Sequence, residues 1–145
     1  MNIRVLCRKS KKKVLLEAMA AFCVKQLNLE KSRYTLWVLS KNDLVSDLHA
    51  DGVCFHGPND IAICIDSSLT GLSKYTTFAH EMIHAKQIAR GVLKMGRIGR
   101  RGIMSWRGQE VKAMAYEERP WEAQAFREQG KLAADLHTFI SRNTK

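Results

Sequence analysis

The sequence predicts an α+β fold, and three observations carry that expectation. Three stretches repeat apolar residues at helical spacing, short runs rich in β-branched and aromatic residues lie between them, and two of those runs flank a turn-forming GPND. The order read along the chain is helix, strands, helix, hairpin, helix. At 145 residues it is taken as one domain spanning 1–145, long enough to bury a core. The architecture expected is a small twisted mixed sheet with a packing helix, a central helix and a C-terminal helix.

Each element has its own signal. SKKKVLLEAMAAFCVKQLNL (10–29) repeats Val14, Leu15, Ala18, Ala21, Phe22 and Leu27 at helical spacing and reads as a long amphipathic helix, with Ser10 as the expected N-cap. RYTLWVLSK (33–41) reads as a strand, and DGVCFH and IAICID read as a hairpin. LTGLSKYTTFAHEMIHAKQIARG follows as a helix, with Thr70 and Ser73 as capping candidates and Gly91 as its stop. RRGIMSWRGQEVKAM (100–114) offers a second hairpin around Arg107-Gly108. The last helix opens at Pro120. Gly130 weakens it by about 1 kcal/mol relative to alanine without ending it.

Composition narrows the class. Hydrophobic residues at 46% and charged residues at 26% are ordinary for a folded soluble protein. No run approaches the roughly 18 apolar residues of a membrane span. The basic start MNIRVLCRKSKKK is not followed by an apolar stretch and small residues, so it is not a secretory signal. Cys7, Cys23, Cys54 and Cys64 form no CxxC pair and are expected as reduced thiols of a cytoplasmic protein, mostly buried as small hydrophobes. A net charge of +10, with cations gathered in Arg4–Lys13 and Lys94–Arg107, points to polyanions such as nucleic acid bound without sequence preference. The alternative is a well-solvated surface, and no nucleic-acid motif accompanies the charge.

The chemistry-bearing stretch is TTFAHEMIHAKQ (76–87). Positions i and i+4 of a helix share a face with Cβ atoms about 6 Å apart, so His80 and His84 can bring two imidazole nitrogens onto one ion at about 2.0 Å each. Glu81 is turned about 100° around the axis. It is badly placed to ligate the same ion but within reach of a water on it, as a metal hydrolase requires. A catalytic zinc needs a third protein ligand and an open fourth position. His137, 53 residues past His84 (137 − 84), reads as a packing or surface residue, and Glu110, Glu117 and Glu118 lie in or beside the second hairpin. Glu122 falls in the first turn of the last helix beside Trp121, with Ala125 and Phe126 on the same side, where the helix dipole favours a carboxylate. It is the candidate third ligand; the alternative is an ordinary first-turn surface glutamate.

HEMIH followed by YEERPWEAQAF looks like the small gluzincin-type zincin metallopeptidases, in which a glutamate on a second helix completes the metal site. It is especially similar to compact one-domain versions encoded by bacteria and their phages, and the match covers residues 51 to 128 in order of elements. HEMIHA also resembles SprT-like proteases, which act on proteins crosslinked to DNA. Those use a third histidine soon after the motif, and this chain has none between His84 and His137. The resemblance implies a zincin-like fold and hydrolysis of a peptide or protein substrate. It implies one Zn²⁺ per chain held by His80, His84 and Glu122, with Glu81 as catalytic base. It further implies that Tyr116 donates to the oxyanion, although a tyrosine packing the helix entry reads equally well, and that Arg119 holds the start of the glutamate helix or a substrate carboxylate. An edge strand ahead of the metal helix would pair with extended substrate, a place GVCFH fits better than the apolar IAICID, with His56 a surface residue at its end. Gln124 stands where the compact family often has an acid. The rival reading is a basic DNA-associated SprT-like protein or binding module whose zinc is structural.

Overall fold

The computed structural model describes residues 1–42, 51–95, 104–111 and 118–143. Its elements run β1 (Asn2–Leu6), α1 (Ser10–Gln26), β2 (Thr35–Lys41), β3 (Gly52–His56), β4 (Asp60–Asp66), α2 (Gly71–Ala89), β5 (Leu93–Met95), β6 (Met104–Trp106), β7 (Gln109–Val111) and α3 (Pro120–Asn143). This is an α+β fold with a four-stranded mixed sheet, a three-stranded antiparallel sheet and three helices.

The larger sheet has the order β1-β2-β4-β3. β1, β2 and β4 are parallel, with Val5 beside Val38 and Val38 beside Ile63, while β3 runs antiparallel to β4 with Cys54 opposite Ile63. β3 is therefore an edge strand and β4 an interior one. That is the assignment their patterns predict, since Ile61, Ile63, Cys64 and Ile65 are all buried. The period-2 alternation sends Val5, Leu36, Val38, Ile61, Ile63 and Ile65 into the core cluster. There they meet Leu16, Met19 and Cys23 of α1, Phe78, Met82 and Ile83 of α2, and Leu132, Leu136 and Ile140 of α3. α1 and α2 pack on the sheet, and α3 packs against both of them. Among the described residues no helix is long and apolar enough to cross a membrane.

Helix ends follow local chemistry. α2 stops in a Schellman turn: Gly91 at φ 72° donates to the Ile88 carbonyl at 2.9 Å and Val92 donates to that of Gln87 at 2.9 Å. Thr70 is the N-cap residue of α2 as expected, although its side chain makes no capping bond. At α1 the N-cap residue is Lys9 rather than Ser10, which is already the first helical residue.

Two strands go beyond the expected order. β1 alternates Ile3 and Val5 inward with Asn2, Arg4 and Leu6 outward, a pattern overshadowed in the sequence by the basic run that follows. β5, only three residues long, begins two residues after Gly91 and pairs with β6. The second hairpin is present as β6 and β7, turning at Arg107-Gly108. All four cysteines are free; Cys23 and Cys64 are buried, and Cys7 and Cys54 are half-buried.

Candidate metal centre

The middle of α2 is buried over Phe78 to Ala85, and this run includes His80, Glu81 and His84. Three charged or polar side chains sunk in one apolar helix need partners, because an unsatisfied buried polar group costs more than most native contacts return. α3 supplies them. Small Ala79, Ala85, Ala125 and Ala133 are fully or almost fully buried in the core that α2 and α3 share, which lets the two backbones come close. Glu122, in the first turn of α3, reaches the histidines from across the interface.

The geometry is compact. The two Nε2 atoms lie 3.1 Å apart, Glu122 Oε1 is 3.4 Å from His80 Nε2, and the same oxygen contacts His84 Nε2. A tetrahedral ion with ligands at 2.0–2.1 Å holds neighbouring ligand atoms about 3.3 Å apart. Two of the three separations, 3.1 and 3.4 Å, are close to those tetrahedral edges, while Glu122 Oε1 is drawn in tighter against His84 Nε2. The three ligand atoms, all within 4.8 Å of one another, form a group able to hold one metal ion. Among the described residues no other group of three His, Cys, Asp or Glu side chains is so placed.

The far side of each imidazole is held by an amide. His80 Nδ1 lies 2.7 Å from Gln129 Oε1, and His84 Nδ1 lies 2.8 Å from Gln87 Oε1. A carbonyl oxygen only accepts, so each Nδ1 carries the proton and each Nε2 turns its lone pair to the centre. Gln87 is itself fixed, donating through Nε2 to the Trp121 carbonyl at 3.0 Å and to Gln124 Oε1 at 2.8 Å. Gln124 thus supports the site through Gln87, as a neutral amide where the resembled family often has an acid.

Gln87 and Gln129 went unnoticed in the sequence. The available signal was their spacing: Gln87 is i+3 from His84, and Gln129 is two turns past Glu122. Replacing the residue that orients a metal-bound histidine typically costs 10–100-fold in metal affinity. Gln87→Ala is expected to weaken binding of a divalent metal ion by a factor in that range, read by competition against a chromogenic chelator; affinity equal to wild type would show that the amide does not orient His84.

Electrostatics follow from burial. It pushes the Glu81 carboxyl up to about 6, with His84 and then His80 pulling it back and Glu122 pushing it further. Burial disfavours the His80 imidazolium, but the hydrogen bonds it would donate to the Glu122 carboxylate and the Gln129 carbonyl, with the charges of Glu81 and Glu122, outweigh this and raise the group overall. Burial, then Glu81 and Glu122, hold the Cys54 thiol well above its ordinary range, so it stays protonated. β3 presses directly on this part of α2. A Cβ at Gly52 would stand 2.8 Å from Thr77 Cγ2 and 3.2 Å from Glu81 Cγ, so only glycine lets the edge strand lie this close to the acid. Phe126, 52% exposed, sets its ring 4.9 Å from that of His80.

The remaining candidates are distributed as follows. His137 is exposed and stacks on Tyr75 at 5.3 Å, and Glu110 and Glu118 are exposed on the surface. The Arg119 carbonyl accepts from the Glu122 and Ala123 amides at 3.0 Å each, so its backbone starts α3. His56 is tied in rather than a free surface residue: its Nε2 accepts from the Met95 amide at 3.0 Å, joining β3 to β5. Tyr116 and Glu117 lie outside the described residues. Compared with protein-family models, curated proteins and solved structures, the chain matches none.

Proposed function

We propose that the protein is a zinc-dependent metallopeptidase of gluzincin-like design, hydrolysing peptide bonds. One observation carries the reading: two histidines and a glutamate from two helices bring their ligand atoms within 4.8 Å of one another, with an acid on the residue after the first histidine. Two neutral imidazoles and one carboxylate form a donor set suited to zinc, and three protein ligands leave a fourth position for reaction. When bound there, zinc would supply Lewis acidity, lowering the pKa of water and polarising a carbonyl.

The chain's own residues do the rest. Glu81 takes the proton of the attacking water and passes it to the leaving amine, a transfer favoured by a carboxyl whose burial brings it towards neutrality. Gln87 and Gln129 keep both imidazoles turned inward. β3, an edge strand among the described residues and beside the acid, offers backbone groups to an extended substrate.

The test is reconstitution. Protein treated with a chelator should lose cleavage of a peptide library and regain it with about one equivalent of zinc per chain. Cleavage that survives complete removal of metal would defeat the proposal.

A further inference from the structure

The other face of the four-stranded sheet carries no described helix and has a composition of its own. Register places Arg4, Trp37, Ala62 and Phe55 in one rung across β1, β2, β4 and β3, on the side opposite the core. Leu6, Leu39, Cys64 and Val53 form the next rung. Phe55 is 47% exposed and Leu6 53% exposed, and Trp37 is half-buried. Neighbouring strands lie about 4.8 Å apart, so Trp37 and Phe55, two strands apart, are separated by about 10 Å. Ala62, the smallest side chain of the rung, lies between them.

Charge at the β1 edge points to the occupant. Residues 4–13 hold six cations and no acid, within a chain of net charge +10. Arg4 and Lys13 line, with Trp37, a groove of about 560 Å³ along β1. Of the acids nearby, Asp60 accepts from Trp37 Nε1 at 2.8 Å, which steadies the indole, and Glu17 stands at the groove wall. Cations beside aromatic side chains on a sheet form the arrangement on which unpaired bases stack while phosphates meet the charges.

We infer that this sheet face binds single-stranded nucleic acid, with bases stacking on Trp37 and Phe55 and phosphates held by Arg4 and Lys13. A duplex hides the flat faces of its bases and cannot use the two rings. The surface lies across the sheet from the metal centre, so the inference stands apart from the peptidase reading.

The experiment is fluorescence anisotropy of zinc-loaded protein with a labelled 20-nucleotide thymidine strand and with a 20-base-pair duplex, each over a salt series. The single strand should bind more tightly than the duplex. Its log–log salt slope should shrink by about 0.7 for each of Arg4→Ala and Lys13→Ala. Phe55→Ala and Trp37→Ala should each weaken the strand about tenfold or more. Trp37→Phe, which keeps a ring and spares the sheet, should weaken it less. Thermal melts check that each variant is folded. No binding at low salt, equal affinity for strand and duplex, or a folded Phe55→Ala protein that binds as wild type would each overturn the assignment. So would sedimentation showing that the face holds a second copy of this chain instead.

Discussion

Glu81→Gln is expected to keep zinc at wild-type stoichiometry and to slow peptide hydrolysis by roughly 10² to 10⁴, the range for removing a general base. The substitution keeps the shape and a hydrogen-bonding group but removes the ability to take a proton. Two features favour the proposed role of Glu81 as base over that of a fourth ligand. It is one residue from His80 and so turned about 100° from the face that His80 and His84 share, and Glu122 already fills the carboxylate place of the donor set. It is also buried, beside a strand so close that a Cβ at Gly52 would stand 3.2 Å from Glu81 Cγ. The measurement pairs metal analysis with initial rates on one peptide at saturating zinc. Equal rates in the two proteins would show that Glu81 is not the base and would favour a basic binding protein with structural zinc, since such a site has no use for this acid.

What could be read in the sequence was what depends on local spacing. The i, i+4 histidines, the stop at Gly91, the hairpin flanking GPND and the edge position of GVCFH all reflect periodicity or turn chemistry within some twenty residues. Glu122 was legible for the same reason, as an acid in a first turn beside a small residue. β1 was not, because its partner β2 lies about thirty residues away and its alternation is only five residues long before a run of lysines. β5 has three residues and is a strand only because β6 pairs with it. Gln87 and Gln129 were missed because an amide becomes an orienting group only once packing sets it against an imidazole. Gln129 is 49 residues from His80 (129 − 80), a contact that exists only when α3 lies on α2.

Glu122→Ala is expected to weaken zinc by more than the 10–100-fold typical of losing an orienting residue, because a ligand goes and not its support. Activity should vanish with the metal. Glu122 brings the only negative charge into the set of three, and its oxygen touches the Nε2 atoms of both histidines. Without it two neutral imidazoles are left to hold a dication within a largely apolar interface. The histidines do not move to compensate, since Gln87 and Gln129 fix their rings from behind. The fold should survive, because alanine suits a helix interior and Ala125 and Trp121 keep α3 packed on α2. Glu118→Ala, at an exposed residue beyond the helix start, is the control and should leave affinity within about twofold of wild type, as surface changes usually do. Titration against a chelator of known affinity separates the two variants, and circular dichroism shows whether each is folded. His137→Ala extends the comparison: its ring lies against Tyr75, so it should keep its zinc. Loss of metal in that variant, with metal retained in a folded Glu122→Ala protein, would mean that the third ligand comes from the end of the chain and that the gluzincin-like reading is wrong.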